Sequence, residues 1–82
     1  MTTQTQTARI DALMRGAVDL HVHSGPSLHP RKVDHFEVMR QADAAGMRAV
    51  LLKDHYYPTM PFATLINNHL GLRAQCLGAV VL

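Results

Sequence analysis

The sequence predicts an α/β fold in which parallel strands alternate with covering helices. Apolar runs of strand length recur along the chain, with the first from Ala17 to His23 and the second in "MRAVLLK" after Gly46. Between them lie segments with helical spacing, N-terminal capping residues and a closing glycine. Strands that alternate with helices of this length imply parallel pairing through right-handed crossovers. The order is helix, then β, α, β, α, β.

Each element has a local reason. Residues 1–6 are Thr and Gln after the initial Met, with nothing to bury, so they are expected to form a disordered tail. Thr7 can cap a lead-in helix over residues 7–15, with Ile10, Leu13 and Met14 at i, i+3 and i+4 and Gly16 to close it. The βαβαβ unit then occupies residues 17–82. Ala17 to His23 is rich in β-branched and aliphatic residues and ends at "SGPS", where Gly and Pro stop a strand. Asp34 and Glu37 form a capping-box pattern, with Val33 and Val38 placed for a hydrophobic staple. Phe36, Met39 and Ala42 supply that helix with its expected buried stripe, and Gly46 its left-handed cap.

"MRAVLLK" is continuously apolar, the pattern of a strand covered on both faces. A third helix is expected from Met60 to Leu70, capped by Thr59, with Pro61 in its first turn. Phe62, Leu65, Ile66 and Leu70 share one face, and Gly71 ends it. "RAQCLGAVVL" reads as a third strand. Its apolar "GAVVL" would leave an edge open to pairing, so the chain is expected to be the first third of a larger α/β protein or to associate with another copy.

Composition narrows the function classes. The chain has 82 residues, 48% hydrophobic and 17% charged, which is the make-up of a globular interior. A chain this short buries only about 60–65% of its unfolded surface, so it folds with little to spare. The net charge of +2 is dispersed, with no basic run to track a phosphate backbone, and nucleic acid is not implied. No apolar run approaches the roughly 20 residues that span a bilayer, and the start has no signal pattern. The lone Cys76 has no disulfide partner and reads as a small buried hydrophobe, as expected of a soluble cytoplasmic protein.

The chemistry concentrates in "VDLHVHSG", Val18 to Gly25. Residues two apart on a strand share a face, so Asp19, His21 and His23 are expected together, with Val18, Leu20 and Val22 opposite under the helices. The polar face then points into a barrel axis or sheet crevice near the strand's C-terminal end, where parallel α/β folds build their sites. Two imidazoles there can converge on one cation, or simply hydrogen-bond to backbone and Asp19. On the second strand, Lys53 and His55 would reach inward beside them, while Asp54 points away or into the loop and could orient a ligand from behind. His29 and Arg31 lie in the loop after the first strand. They can meet metal and an anionic group, or belong to an ordinary surface loop. His35 and His69 sit in helix end turns and read as structural, and Tyr56 and Tyr57 can line the mouth of the site.

With these residues in place, the chain resembles metal-dependent hydrolases of the amidohydrolase superfamily and of the polymerase and histidinol phosphatase family. The likeness rests on the "DLHVH" first strand, Asp19 to His23, and on "KDH", Lys53 to His55, where the second family has Thr-Asp-His. It spans Val18 to His55. The resemblance implies a βαβαβ portion of a TIM-like (β/α) barrel, with His21, His23, His29 and His55 as ligands of a divalent metal. Zn is the leading choice, with Mn, Fe or Co also suited to imidazole-rich sites. Later strands complete the site in those families, and position does not identify Lys53 with the carboxylated lysine of some members.

The function expected is metal-assisted hydrolysis of an amide, ester or phosphoester in a small molecule. Arg31, Lys53 and the positive net charge favour an anionic substrate. No residue is singled out as the general base. The alternative is a non-catalytic α/β module, or an inactive truncated product, whose histidines are structural. A doubly wound nucleotide-binding domain is disfavoured, because "HVHSGPS" lacks a glycine-rich phosphate loop.

Overall fold

Alternating apolar runs and capped helices build a three-stranded parallel sheet with helices packed on one face. The computed structural model describes residues 3–81, ordered α1 (Thr3–Met14), β1 (Val18–Val22), α2 (His35–Ala44), β2 (Ala49–Leu52), α3 (Met60–His69) and β3 (Gln75–Leu77). The strands lie in sequence order, β1-β2-β3, and both pairings are parallel. One core joins both helices to the sheet: Met39 and Ala42 of α2, Val50 and Leu52 of β2, Ala63 and Ile66 of α3, and Cys76 of β3. Met39, Leu52 and Ile66 are fully buried, each contributing about 1.5–3 kcal/mol of transfer free energy.

The capping box of α2 forms as its sequence predicts. Glu37 donates its backbone N–H to Asp34 Oδ1 at 2.7 Å, and Asp34 N–H donates to Glu37 Oε1 at 3.2 Å. Gly46 follows with φ +77°, a left-handed conformation that costs a glycine little. The buried stripe differs by one position. His35, Met39 and Ala42 face inward, whereas Phe36 is 40% exposed.

Four further expectations are corrected. The first helix starts at Thr3, so Thr7 lies inside it rather than capping it; Met1 and Thr2 of the expected tail lie outside the described residues. Ile10 and Leu13 remain exposed on α1 rather than buried. Thr59 precedes α3 but makes no capping bond. Its hydroxyl instead donates to Leu52 C=O at 2.7 Å and accepts from Ala79 N–H at 2.9 Å, tying the end of β2 to the chain after β3. On α3 itself, Leu65 is exposed and Ala63 takes the inward place beside Ile66.

The third strand is only three residues long, and Asn67 of α3 shields it. The Asn67 amide donates to Cys76 C=O at 2.8 Å and accepts from Cys76 N–H at 2.9 Å, filling one residue's worth of open edge. Cys76 is buried, and burial pushes its thiol pKa up to about 11, so it serves as a core hydrophobe.

Candidate metal centre

The two histidines are aimed by an irregularity that alternation alone could not reveal. On β1, Val18 pairs with Ala49, Asp19 with Val50, and Val22 with Leu52. Leu20 and His21 therefore stand opposite the single residue Leu51, which is a β-bulge. The bulge shifts the face of everything after it. Asp19 falls in line with Val50 and lines the cleft beside Val38 and Ala42 of α2, so it does not share the histidines' face as predicted. Its Oδ1 instead accepts the backbone N–H of His21 at 3.0 Å, bracing the bulge. Val18 and Leu20, expected beneath helices, are 48% and 62% exposed; Val18 stands opposite Ala49, on the face away from the helix-facing Val50, and Leu20 lies in the bulge.

Beyond the bulge, His21 Nε2 and His23 Nε2 stand 3.0 Å apart, with their rings edge to face. His23 Nδ1 lies 2.6 Å from Lys53 C=O. A ring nitrogen facing a carbonyl must carry the proton, so neutral His23 has its lone pair at Nε2, where it accepts from His21 Nε2–H. Lys53 is itself fixed there, since its N–H donates to Val22 C=O at 2.8 Å. The backbone of Lys53 thus orients His23, a role separate from the substrate-binding one expected of its side chain.

This arrangement suits a metal ion. Two imidazole nitrogens bound to one tetrahedral ion at about 2.0–2.1 Å lie roughly 3.3 Å apart, close to the separation seen. Metal-binding histidines almost always donate their other ring N–H to a carbonyl or carboxylate, as His23 does to Lys53. His55 adds a third imidazole, its ring 5.1 Å from that of His23 and tilted by 33°. His29 goes elsewhere, to the hydroxyl of Tyr56 at 2.7 Å. Among the described residues, no group of three or more His, Cys, Asp or Glu side chains stands in ligand geometry, so the preformed element is the His21/His23 pair.

Behind the pair lies a buried polar cluster that sequence spacing missed. His35 is 2% exposed, with Nδ1 2.6 Å from Ser24 Oγ and Nε2 2.7 Å from the Tyr57 hydroxyl. The Tyr57 hydroxyl donates in turn to Pro26 C=O. This fixes the direction of every proton: Ser24 O–H donates to His35 Nδ1, His35 Nε2–H to Tyr57, and Tyr57 to Pro26. The chain needs neutral His35. Burial lowers its pKa, against smaller opposing effects from the charges of Asp54 and Asp34. The cue was the helical spacing of His35 with Met39 and Ala42, on which His35 displaces Phe36.

Asp54 is also buried, at 2% exposure. Burial pushes its pKa up, but the Tyr56 N–H, the Ser27 hydroxyl and the charges of Arg31 and His35 together outweigh it and hold the carboxyl below its usual value. Tyr56 N–H meets Oδ1 at 2.8 Å. The Ser27 hydroxyl faces the carboxylate, and Ser27 Oγ and Asp54 Oδ2 are both closed off from solvent. The charge of Arg31, expected to hold an anionic substrate, also favours the ionised form of Asp54, while its Nε is buried without a hydrogen-bond partner.

No helix among the described residues is long and apolar enough to cross a membrane. Neither a curated protein nor a solved structure matches the chain. Residues 16–82, everything beyond α1, match the model of a family of unknown function, DUF6282. The match takes in the bulged strand, its histidine pair and the buried cluster behind them, and the chain belongs to that family.

Proposed function

We propose that this chain is the βαβαβ portion of a metal-dependent hydrolase with a TIM-like barrel, and that His21 and His23 are its first metal ligands. The observation that carries the reading is the pairing of two Nε2 atoms at 3.0 Å with a backbone carbonyl behind one of them. Sequential parallel strands with both helices on one face support the barrel, since the other face would then be its interior. His55 is the third imidazole within reach of the pair, and ligands from further elements would complete the coordination.

A divalent cation, Zn first and Mn, Fe or Co next, would supply Lewis acidity and an activated water there. The protein's own groups prepare the place. The bulge braced by Asp19 aims the imidazoles, and Lys53 C=O holds His23 in the tautomer whose Nε2 lone pair faces His21, a partner that a cation would replace. The substrate would be a small molecule with an amide, ester or phosphoester bond.

The test is zinc titration by calorimetry of the full chain beside a His21→Ala/His23→Ala variant, followed by chelator-sensitive hydrolysis of amide, ester and phosphoester panels. Wild type should bind about one or two ions, and the variant should lose affinity on the order of a hundredfold while keeping its circular dichroism. Equal zinc binding by the two proteins would defeat the reading.

A further inference from the structure

The chain contains a helix with its apolar side exposed and a cleft with apolar walls. The helix is α1, which is exposed from Thr5 to Leu13 and adds no side chain to the core. Arg9, Ile10 and Leu13 share one side of it, with Ile10 60% and Leu13 79% exposed. A helix of 12 residues is marginal in water by itself, because helices in proteins are held chiefly by the packing of an apolar face. The stripe on α1 therefore calls for a surface to pack against.

The cleft, of about 210 Å³, lies between α2 and β1 and is walled by Val22, Val38, Ala42, Ala45, Met47 and Val50. Its place follows from the topology. The helix α2 packs over β2 and α3 over β3, so among the described residues no helix covers the edge strand β1. Met14 alone of α1 reaches the cleft of its own chain. The link that follows is pinned, with Gly16 N–H donating to Gly46 C=O and Arg48 N–H to Ala17 C=O, both at 2.8 Å, and Ile10 and Leu13 lie clear of the body.

The surface area says how large the missing contact is. The chain exposes 5803 Å², about 900 Å² more than the roughly 4,900 Å² of a compact monomer of its mass. Its radius of gyration, 13.8 Å, likewise exceeds the roughly 11.7 Å expected for its length. In a stable protein–protein interface each partner buries about 800 Å². The surplus is the share of one partner in a dimer.

We infer that two copies of this chain associate by each placing α1 on the other, Ile10 and Leu13 entering the partner copy's cleft between α2 and β1. The contact is isologous, so both helices and both clefts are covered at once. Charge agrees with it, since Arg9 flanks the apolar stripe and the one ionisable residue lining the cleft is the acid Asp19. The helix α1 lies outside the matched residues 16–82, and the association requires no metal.

The experiment is sedimentation equilibrium of the full chain beside Ile10→Asp/Leu13→Asp, Ala45→Arg and His21→Ala/His23→Ala, with circular dichroism to show that each variant is folded. Wild type should sediment at twice the chain mass at about 100 μM. The first variant removes the apolar stripe from an exposed helix and the second narrows the cleft, and each should weaken the dimer at least about tenfold. The double histidine variant should match wild type; loss of the dimer there would move the contact to the histidine end and overturn the inference. A monomeric wild type would overturn it too, as would an Ala45→Arg protein as dimeric as wild type, which would mean that α1 pairs with α1. Zinc binding by a monomer would sink this inference alone, and a dimer without zinc affinity would sink only the hydrolase reading.

Discussion

His21 and His23 on one side, and His35 on the other, are the same side chain in opposite circumstances. His35 is buried and both its ring nitrogens are satisfied by protein, through Ser24 and Tyr57. The strand pair has one nitrogen tied to backbone and two Nε2 atoms turned toward each other near the surface. An imidazole partnered by buried protein groups holds the fold together; one oriented by backbone and paired on its other side only with a second imidazole can exchange that partner, as the proposed metal site requires. The contrast separates stability from chemistry within one short stretch of chain.

The sharpest way to break that contrast is to truncate each kind of histidine and compare stability. His35→Ala should be the most damaging, because it leaves Ser24 and Tyr57 buried without their partner. A loss of about 2–4 kcal/mol is expected, or roughly 10–30 °C in melting temperature for a domain of this size. His21→Ala/His23→Ala should cost less, about 0.5–1.5 kcal/mol, since His21 is exposed and half-buried His23 loses one hydrogen bond to Lys53 C=O. If thermal scans show the two variants equally destabilised, the strand histidines are structural after all.

Tyr57→Phe probes the same network more gently. It removes the hydroxyl that joins His35 to Pro26 C=O but keeps the ring, so about 1–2 kcal/mol should be lost in urea unfolding. Zinc affinity should stay within twofold of wild type; a larger change would mean that the buried network also sets the geometry of the strand pair.

The smallest effect is the pH dependence. Burial lowers the pKa of His35 from 6.5, so near that pH the unfolded chain takes up a proton that the folded chain refuses. Its contribution is fully present above 6.5 and is lost as pH falls from there toward the folded pKa. Asp54 has the same sign further into acid, because its folded pKa is lowered from 3.8. Melting temperatures should therefore decline as pH drops below 6.5, and His35→Ala should flatten that first decline. An unchanged slope in the variant would assign the effect to other groups.

Much of the architecture was legible in the residues themselves. Asp34 with Glu37, the apolar run after Gly46, and Pro61 at the head of α3 each act over a few positions, and those elements form where spacing predicts. Errors arose where a contact from far along the chain outweighed a local preference. Thr59 has the chemistry of a cap, yet its hydroxyl ties Leu52 to Ala79. Phe36 has the greater hydrophobicity, yet His35 takes the buried place because Ser24 and Tyr57 satisfy its nitrogens.

The sequence by itself determined the alternation of strands and helices, the capped start of α2, and the placing of His21 and His23 at the end of the first strand. Those features depend on spacing, propensity and capping, all properties of neighbouring residues. Only the tertiary structure decided which way the histidines point. The bulge opposite Leu51 turned the histidines to the face away from Asp19, and Lys53 C=O, thirty residues along the chain from His23, selected the tautomer of that ring. A side-chain period of two survives only while the register between strands is unbroken, and register belongs to the sheet rather than to either strand.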